Sequence, residues 1–77
     1  MPQFDRITVN PAQMNGQPCV RGLRLTVRRL LEAIAVYPDR AELKREYPEV
    51  EDEDINQAIR YAAAMVGDET IQLKPAS

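Results

Sequence analysis

Four arginines stand close together near the front of the chain: Arg21, Arg24, Arg28 and Arg29. The guanidinium group is a planar fork of donors that stays charged at any physiological pH. It suits phosphate oxygens and the major-groove edge of guanine. A cluster of this type is chemistry for an anionic partner, nucleic acid above all, and these four are the candidate nucleic-acid-binding residues. Arg28 and Arg29 fall where a helix begins. The macrodipole is positive there, so it disfavours a cation and favours a phosphate. Arginine at such a position is slightly unfavourable for stability, which points to a use. The competing reading is a pairing of Arg28 or Arg29 with Glu32, at i+4 or i+3, on an exposed face; such pairs stabilise little.

Other chemistry is poorly provided for. The chain has one cysteine and no histidine. Cys19 therefore has no imidazole to activate it, no disulfide partner in its own chain, and no companions for a zinc site. Flanked by Pro18 and Val20, it reads as a small buried hydrophobe. Tyr37, Tyr47 and Tyr61 could stack on bases, but their places near helix ends suit core edges with a wet hydroxyl. Gly16, Gly22 and Gly67 are isolated and form no phosphate loop. The acidic run Glu51-Asp52-Glu53-Asp54 lacks the glycine and spacing of a calcium loop. It reads as a solvated helix start that complements the macrodipole, with attraction to a basic protein as the functional alternative. No residue is nominated as catalytic or metal-binding, no cofactor is expected, and the chain is not expected to be an enzyme.

The net charge is −2, yet it is unevenly spread. Residues 1–30 hold five arginines against Asp5 alone, and residues 31–77 hold eleven acids against five bases. A basic face for an anionic partner and an acidic face for a basic one follow from such a distribution. Seventy-seven residues make one marginal domain, whose core supplies only a few kcal/mol. With disulfide and metal set aside, a homodimer or a tight protein partner is the expected support. The lone thiol, the absence of an apolar signal core in the first residues and the lack of a membrane-length apolar run give a cytoplasmic expectation.

The elements that would carry these residues are legible. Arg6–Val9 is a brief β-compatible run, Met14–Pro18 is turn chemistry around Asn15-Gly16, and Cys19–Arg21 is extended again, so a hairpin with Ile7 and Val9 facing Val20 is expected. Thr26 caps a first helix over Val27–Val36, with its apolar stripe at Val27, Leu30, Leu31 and Ile34. Asp39, with Glu42 three residues on, starts a second helix over 40–47, ended by Pro48. Val50 and Ile55 staple a third, capped at Glu51, with a stripe at Ile55, Ala58, Ile59, Ala62 and Val66 and a C-cap at Gly67. The chain thus divides into an N-terminal β arm (1–25), a three-helix bundle (26–67) and a tail (68–77), possessing an extended stretch at 71–73. The short link between the second and third helices resembles a helix-turn-helix. The acidic start of the third helix would repel phosphate, so the arm and first helix are the better DNA surface.

Two stretches resemble a known family. Arg6-Ile7-Thr8-Val9-Asn10-Pro11 followed by Asn15-Gly16-Gln17-Pro18-Cys19-Val20-Arg21-Gly22-Leu23-Arg24-Leu25-Thr26-Val27 is similar to the opening of the bacterial domain of unknown function 433 family. Glu46-Tyr47-Pro48-Glu49-Val50, Asp54-Ile55 and Ala58-Ile59-Arg60-Tyr61-Ala62 are similar to its second half. Leu23 stands where threonine is usual, and Glu51 where a serine or threonine cap is usual. The resemblance implies a mainly α fold: a three-helix, homeodomain-like bundle behind a short β arm or hairpin. It also implies a VapB-type antitoxin of a type II toxin-antitoxin module, binding a PIN-like nuclease toxin and, as a dimer, operator DNA for transcription regulation. The alternative is a protein-interaction module without nucleic-acid binding.

Overall fold

The computed structural model describes residues 4–68 together with Leu73 and Pro75. The tail expected at 68–77, with its extended stretch at 71–73, lies almost wholly outside the described residues. Three helices follow a short antiparallel hairpin, a small mainly α fold. The hairpin strands are β1 (Ile7–Thr8) and β2 (Cys19–Val20), in register Ile7 to Val20 and Thr8 to Cys19. Val9 lies past the last pair and is exposed, so it does not face Val20 as expected. Asn10 explains the stop: its side chain accepts from the Ala12 amide and its carbonyl from the Gln13 amide, turning the chain away. A single 3-10 turn over Met14–Gly16 brings it back, with Asn15 and Gly16 at positive φ.

β2 is held on both edges. Thr26 bridges to Cys19, and the Val20 amide donates to the Leu25 carbonyl, so the chain folds tightly back after Val20. Arg21 and Gly22 make this turn at φ 46° and 74°, with the Leu23 amide closing on the Val20 carbonyl. Two successive positive φ values define a type I′ turn, which glycine enters freely and arginine does not. Arg21 is therefore left-handed backbone rather than the end of an extended strand.

The helices are α1 (Val27–Val36), α2 (Arg40–Glu46) and α3 (Asp52–Asp68). Thr26 caps α1 by accepting from the Arg29 amide at 3.0 Å. Asp39 caps α2 through the Ala41 amide at 2.8 Å. Val20, Val27, Leu30, Ala33, Leu43, Val50, Ile55 and Ala58 form the buried core, with Ile7, Leu25, Tyr47 and Tyr61 packed at its edge. Val50 and Ile55 are both buried, as a staple around the α3 start requires. Cys19 is buried, its thiol facing the Gln17 carbonyl.

Two expectations for α3 fail. The helix does not end at a Gly67 cap; Gly67 keeps a negative φ and α3 continues to Asp68. Ile59 and Val66 do not join the core stripe but are 44 % and 67 % exposed. The core is only as deep as α1, so the face it claims is Ile55, Ala58 and the residues directly above them, and α3 outruns the elements that could cover the rest. No helix among the described residues is long and apolar enough to cross a membrane.

Candidate functional site

The four candidate arginines separate into two groups with different work. Arg21 leaves its left-handed turn pointed at the start of α3. There its Nε and Nη2 reach both oxygens of Asp54, at 2.9 and 3.0 Å, and Nη2 also donates to the Glu49 carbonyl at 2.7 Å. This is the bidentate fork-to-carboxylate arrangement, the strong form of the pair. Arg6, from the foot of β1, adds Nη1 to Asp54 Oδ1 at 3.2 Å and pairs with Glu51. The Glu51 amide donates to Asp54 Oδ2 at 2.8 Å, the reciprocal half of a capping box with aspartate at the third helical position. Asp54 thus receives four donors, which fills a carboxylate's acceptor sites.

Asp54 is 1 % exposed, so the acidic run is not uniformly solvated as expected. Burial pushes its carboxyl up, but hydrogen bonds from Arg21, the Glu51 amide and Arg6 outweigh burial and hold it below the ordinary value. Gln57, one turn on, accepts from the Arg6 amide at 3.0 Å and donates to Asp5 at 2.7 Å and Glu53 at 3.1 Å. Together Asp54 and Gln57 clasp the β arm onto α3. Of the remaining acids of the run, Glu51 and Asp52 are exposed and Glu53 is half-buried: Asp52 meets Lys44 and Arg40, and Glu53 meets Arg60.

The clasp has a pH signature. A native carboxyl held below its ordinary value of 3.8 binds its proton less readily than the unfolded chain does. Its contribution to stability is therefore complete above that value and is lost as pH falls through the lower native one. Asp52, lowered chiefly by the Lys44 hydrogen bond, and Glu53, lowered chiefly by Gln57, act in the same direction. Urea midpoints measured from pH 7 down to 2 should stay level and then drop steeply below about pH 4. Asp54→Asn should start from a lower midpoint and drop less.

Arg24, Arg28 and Arg29 do something else. They gather with Met14, Gln17, Thr26 and Glu32 around an open hollow of about 410 Å³ where the turn enters α1. All three are exposed, and none makes an ion pair with any described residue. Glu32 shares the hollow, yet the i+4 and i+3 pairs with Arg28 and Arg29 are not formed. The arginine cluster therefore reduces from four to three as a surface. Arg6, Asp54 and Gln57 went unrecognised in the sequence. The one signal available was Asp54 three residues beyond the Glu51 cap, the spacing of a reciprocal cap.

A second hollow adjoins the first, sharing Gln17 and Arg28. Its walls are otherwise largely apolar, made by Pro18, Val27 and Leu31 on one side and Tyr61, Ala62, Met65 and Val66 of α3 on the other, enclosing about 450 Å³.

The family profile described as protein of unknown function (DUF433) matches residues 7–62. The chain belongs to this family. The matched span runs from β1 to the middle of α3 and so takes in Arg21, Asp54 and Gln57 of the DUF433 chain's clasp and all three open arginines, while Asp5 and Arg6 lie just before it. No curated protein and no solved structure matches it.

Proposed function

We propose that this DUF433 protein is the antitoxin of a type II toxin-antitoxin module, which binds a PIN-like nuclease toxin and, as a cytoplasmic dimer, contacts operator DNA through Arg24, Arg28 and Arg29. The observation that carries the DNA part is the set of three exposed guanidinium groups, unpaired among the described residues, around one hollow at the start of α1. Phosphate oxygens there would meet forked donors and the positive end of the helix dipole together. Arg21, committed to Asp54, positions the turn that presents Arg24 and is removed from the contact set.

The test uses the DNA upstream of the protein's own gene and a PIN-like nuclease, which this reading expects to be encoded beside it. Three phosphate contacts per protomer predict a salt slope of about −2.7 in log affinity per log salt for each protomer. Replacing Arg24, Arg28 and Arg29 together by alanine should flatten that slope and leave helical content unchanged. Wild-type affinity that does not change between low and moderate salt rules out the arginine surface. The nuclease should co-purify with the wild-type chain and lose activity when bound.

The apolar hollow beside the arginines favours a second reading, a protein-interaction module without nucleic-acid binding. Under that reading the triple alanine variant binds the protein partner normally, and the wild type shows no DNA affinity above that of the variant.

A further inference from the structure

Arg24 lines two hollows, and only one of them is the arginine hollow described above. The other, a loop hollow, encloses about 340 Å³ against about 410 Å³ for the first. Met14, Gln17 and Thr26 also line both, so the two lie side by side. Their chemistry differs. Arg28, Arg29 and Glu32 complete the arginine hollow, where three guanidinium groups face one acid. Pro11, Ala12 and Asn15 complete the loop hollow, whose walls hold no acid and no cation but Arg24. Each volume falls in the range of about 300–1,000 Å³ that small-molecule sites occupy.

The loop hollow suits a flat group that forms hydrogen bonds. Pro11, Ala12 and Met14 supply apolar surface, and a methionine sulfur makes favourable contact with an aromatic ring. The carboxamides of Asn15 and Gln17 make no hydrogen bond with any described residue. A carboxamide offers an acceptor and a donor side by side, which N6 and N7 of adenine match. Arg24, at the boundary, carries a planar group of the kind that stacks on bases.

A phosphate of duplex DNA would occupy the arginine hollow and leave the loop hollow empty. A nucleotide whose base is unpaired fills both. We propose that the two hollows form one nucleotide site, with phosphate on Arg24, Arg28 and Arg29 and an adenine base against Met14 and the carboxamides of Asn15 and Gln17. The inference rests on the anion-binding reading of the arginines given above and names the ligand unit they take. Its readout uses neither operator nor nuclease: salt-dependent operator binding without nucleotide selectivity sinks this inference alone, and nucleotide binding without operator binding sinks the operator contact alone.

Isothermal titration calorimetry on the full chain at low salt compares adenosine 5′-monophosphate, inorganic phosphate and adenosine. The nucleotide should bind about 10-fold or more tighter than either of its halves. Asn15→Gly is the decisive variant. Asn15 lies at φ 57°, which glycine enters freely, so the turn keeps its shape while the carboxamide is lost. Asn15→Gly should remove most of the advantage of the nucleotide over phosphate, whereas Arg29→Ala, in the arginine hollow, should weaken both. A short single strand of deoxyadenosine residues distinguishes the source. Binding tighter than the mononucleotide, and equally sensitive to Asn15→Gly, assigns the site to a nucleotide within a strand; binding no tighter assigns it to a free nucleotide. Equal affinity for the mononucleotide and inorganic phosphate, a nucleotide affinity that Asn15→Gly leaves unchanged, or no saturable binding at all overturns the inference.

Discussion

Replacing Asp54 with alanine is expected to lower the melting temperature by about 15–20 °C, from a loss of about 3 kcal/mol in a domain of this size. The size of the effect follows from the number of charge-assisted hydrogen bonds lost at once around one buried carboxylate, since Arg6 and Arg21 themselves stay about a third exposed. Asp54 alone balances the fork of Arg21 and shares Arg6 with Glu51. Its removal leaves Arg21 pointing into a partly buried site, held only by the Glu49 carbonyl. It also takes the acceptor from the Glu51 amide at the first turn of α3. Arg21 sits in a left-handed conformation that a non-glycine residue adopts only when its surroundings hold it there. With the carboxylate gone, the turn that feeds α1 loses its restraint as well.

Asparagine is no substitute. Each oxygen of Asp54 accepts from two donors, Oδ1 from Arg21 and Arg6, and Oδ2 from Arg21 and the Glu51 amide. Whichever way the carboxamide turns, its own NH2 group meets donors. Thermal melts followed by circular dichroism should therefore place Asp54→Asn well below wild type. Coupling gives the sharper check: Asp54→Ala combined with Arg21→Ala should melt no lower than Asp54→Ala alone. Additive losses would show that the two side chains act separately and that the clasp does not hold the arm.

This division of labour among the arginines explains what the sequence could and could not disclose. The Thr26 and Asp39 caps, the bounds of α1 and the buried face around Leu30 and Ile55 depend on neighbours within one turn, and residue type with spacing reveals them. Arg21 and Asp54 are 33 positions apart. Nothing local distinguishes an arginine that will reach across the fold from one that will face water, and Arg21 stands in the same short run as Arg24. The acidic run presents the same problem. Four consecutive acids look alike in sequence, yet the helical turn sends Asp54 inward with Ile55 while Asp52 faces Lys44. The exposure of Ile59 and Val66 on α3 is hidden from the sequence for a related reason. Periodicity identifies Ile59 and Val66 as an apolar stripe, but only the length of α1 decides that it has nothing of its own chain to lie against.

Leu43→Ala is expected to cost about 3 kcal/mol, and unevenly across the fold. Leu43 is the one buried residue of α2, a helix of 7 residues that is too short to persist without a tertiary anchor. The loss should therefore appear first as local opening. In native-state hydrogen exchange the amides of Leu43 and Tyr47, which bond to Asp39 and Leu43, should lose protection ahead of the Leu30 amide in α1. The opening should spread to the link that follows α2, since Val50 N bonds to Tyr47 O and Glu49 O holds Arg21. It should stop short of Arg28 and Arg29. They ride on α1, which packs directly against α3. Below its melting transition, the variant should thus keep the salt-dependent anion affinity expected of the wild type. Loss of protection in α1 and α2 together would instead show that the three helices open as one unit, with no separable α2.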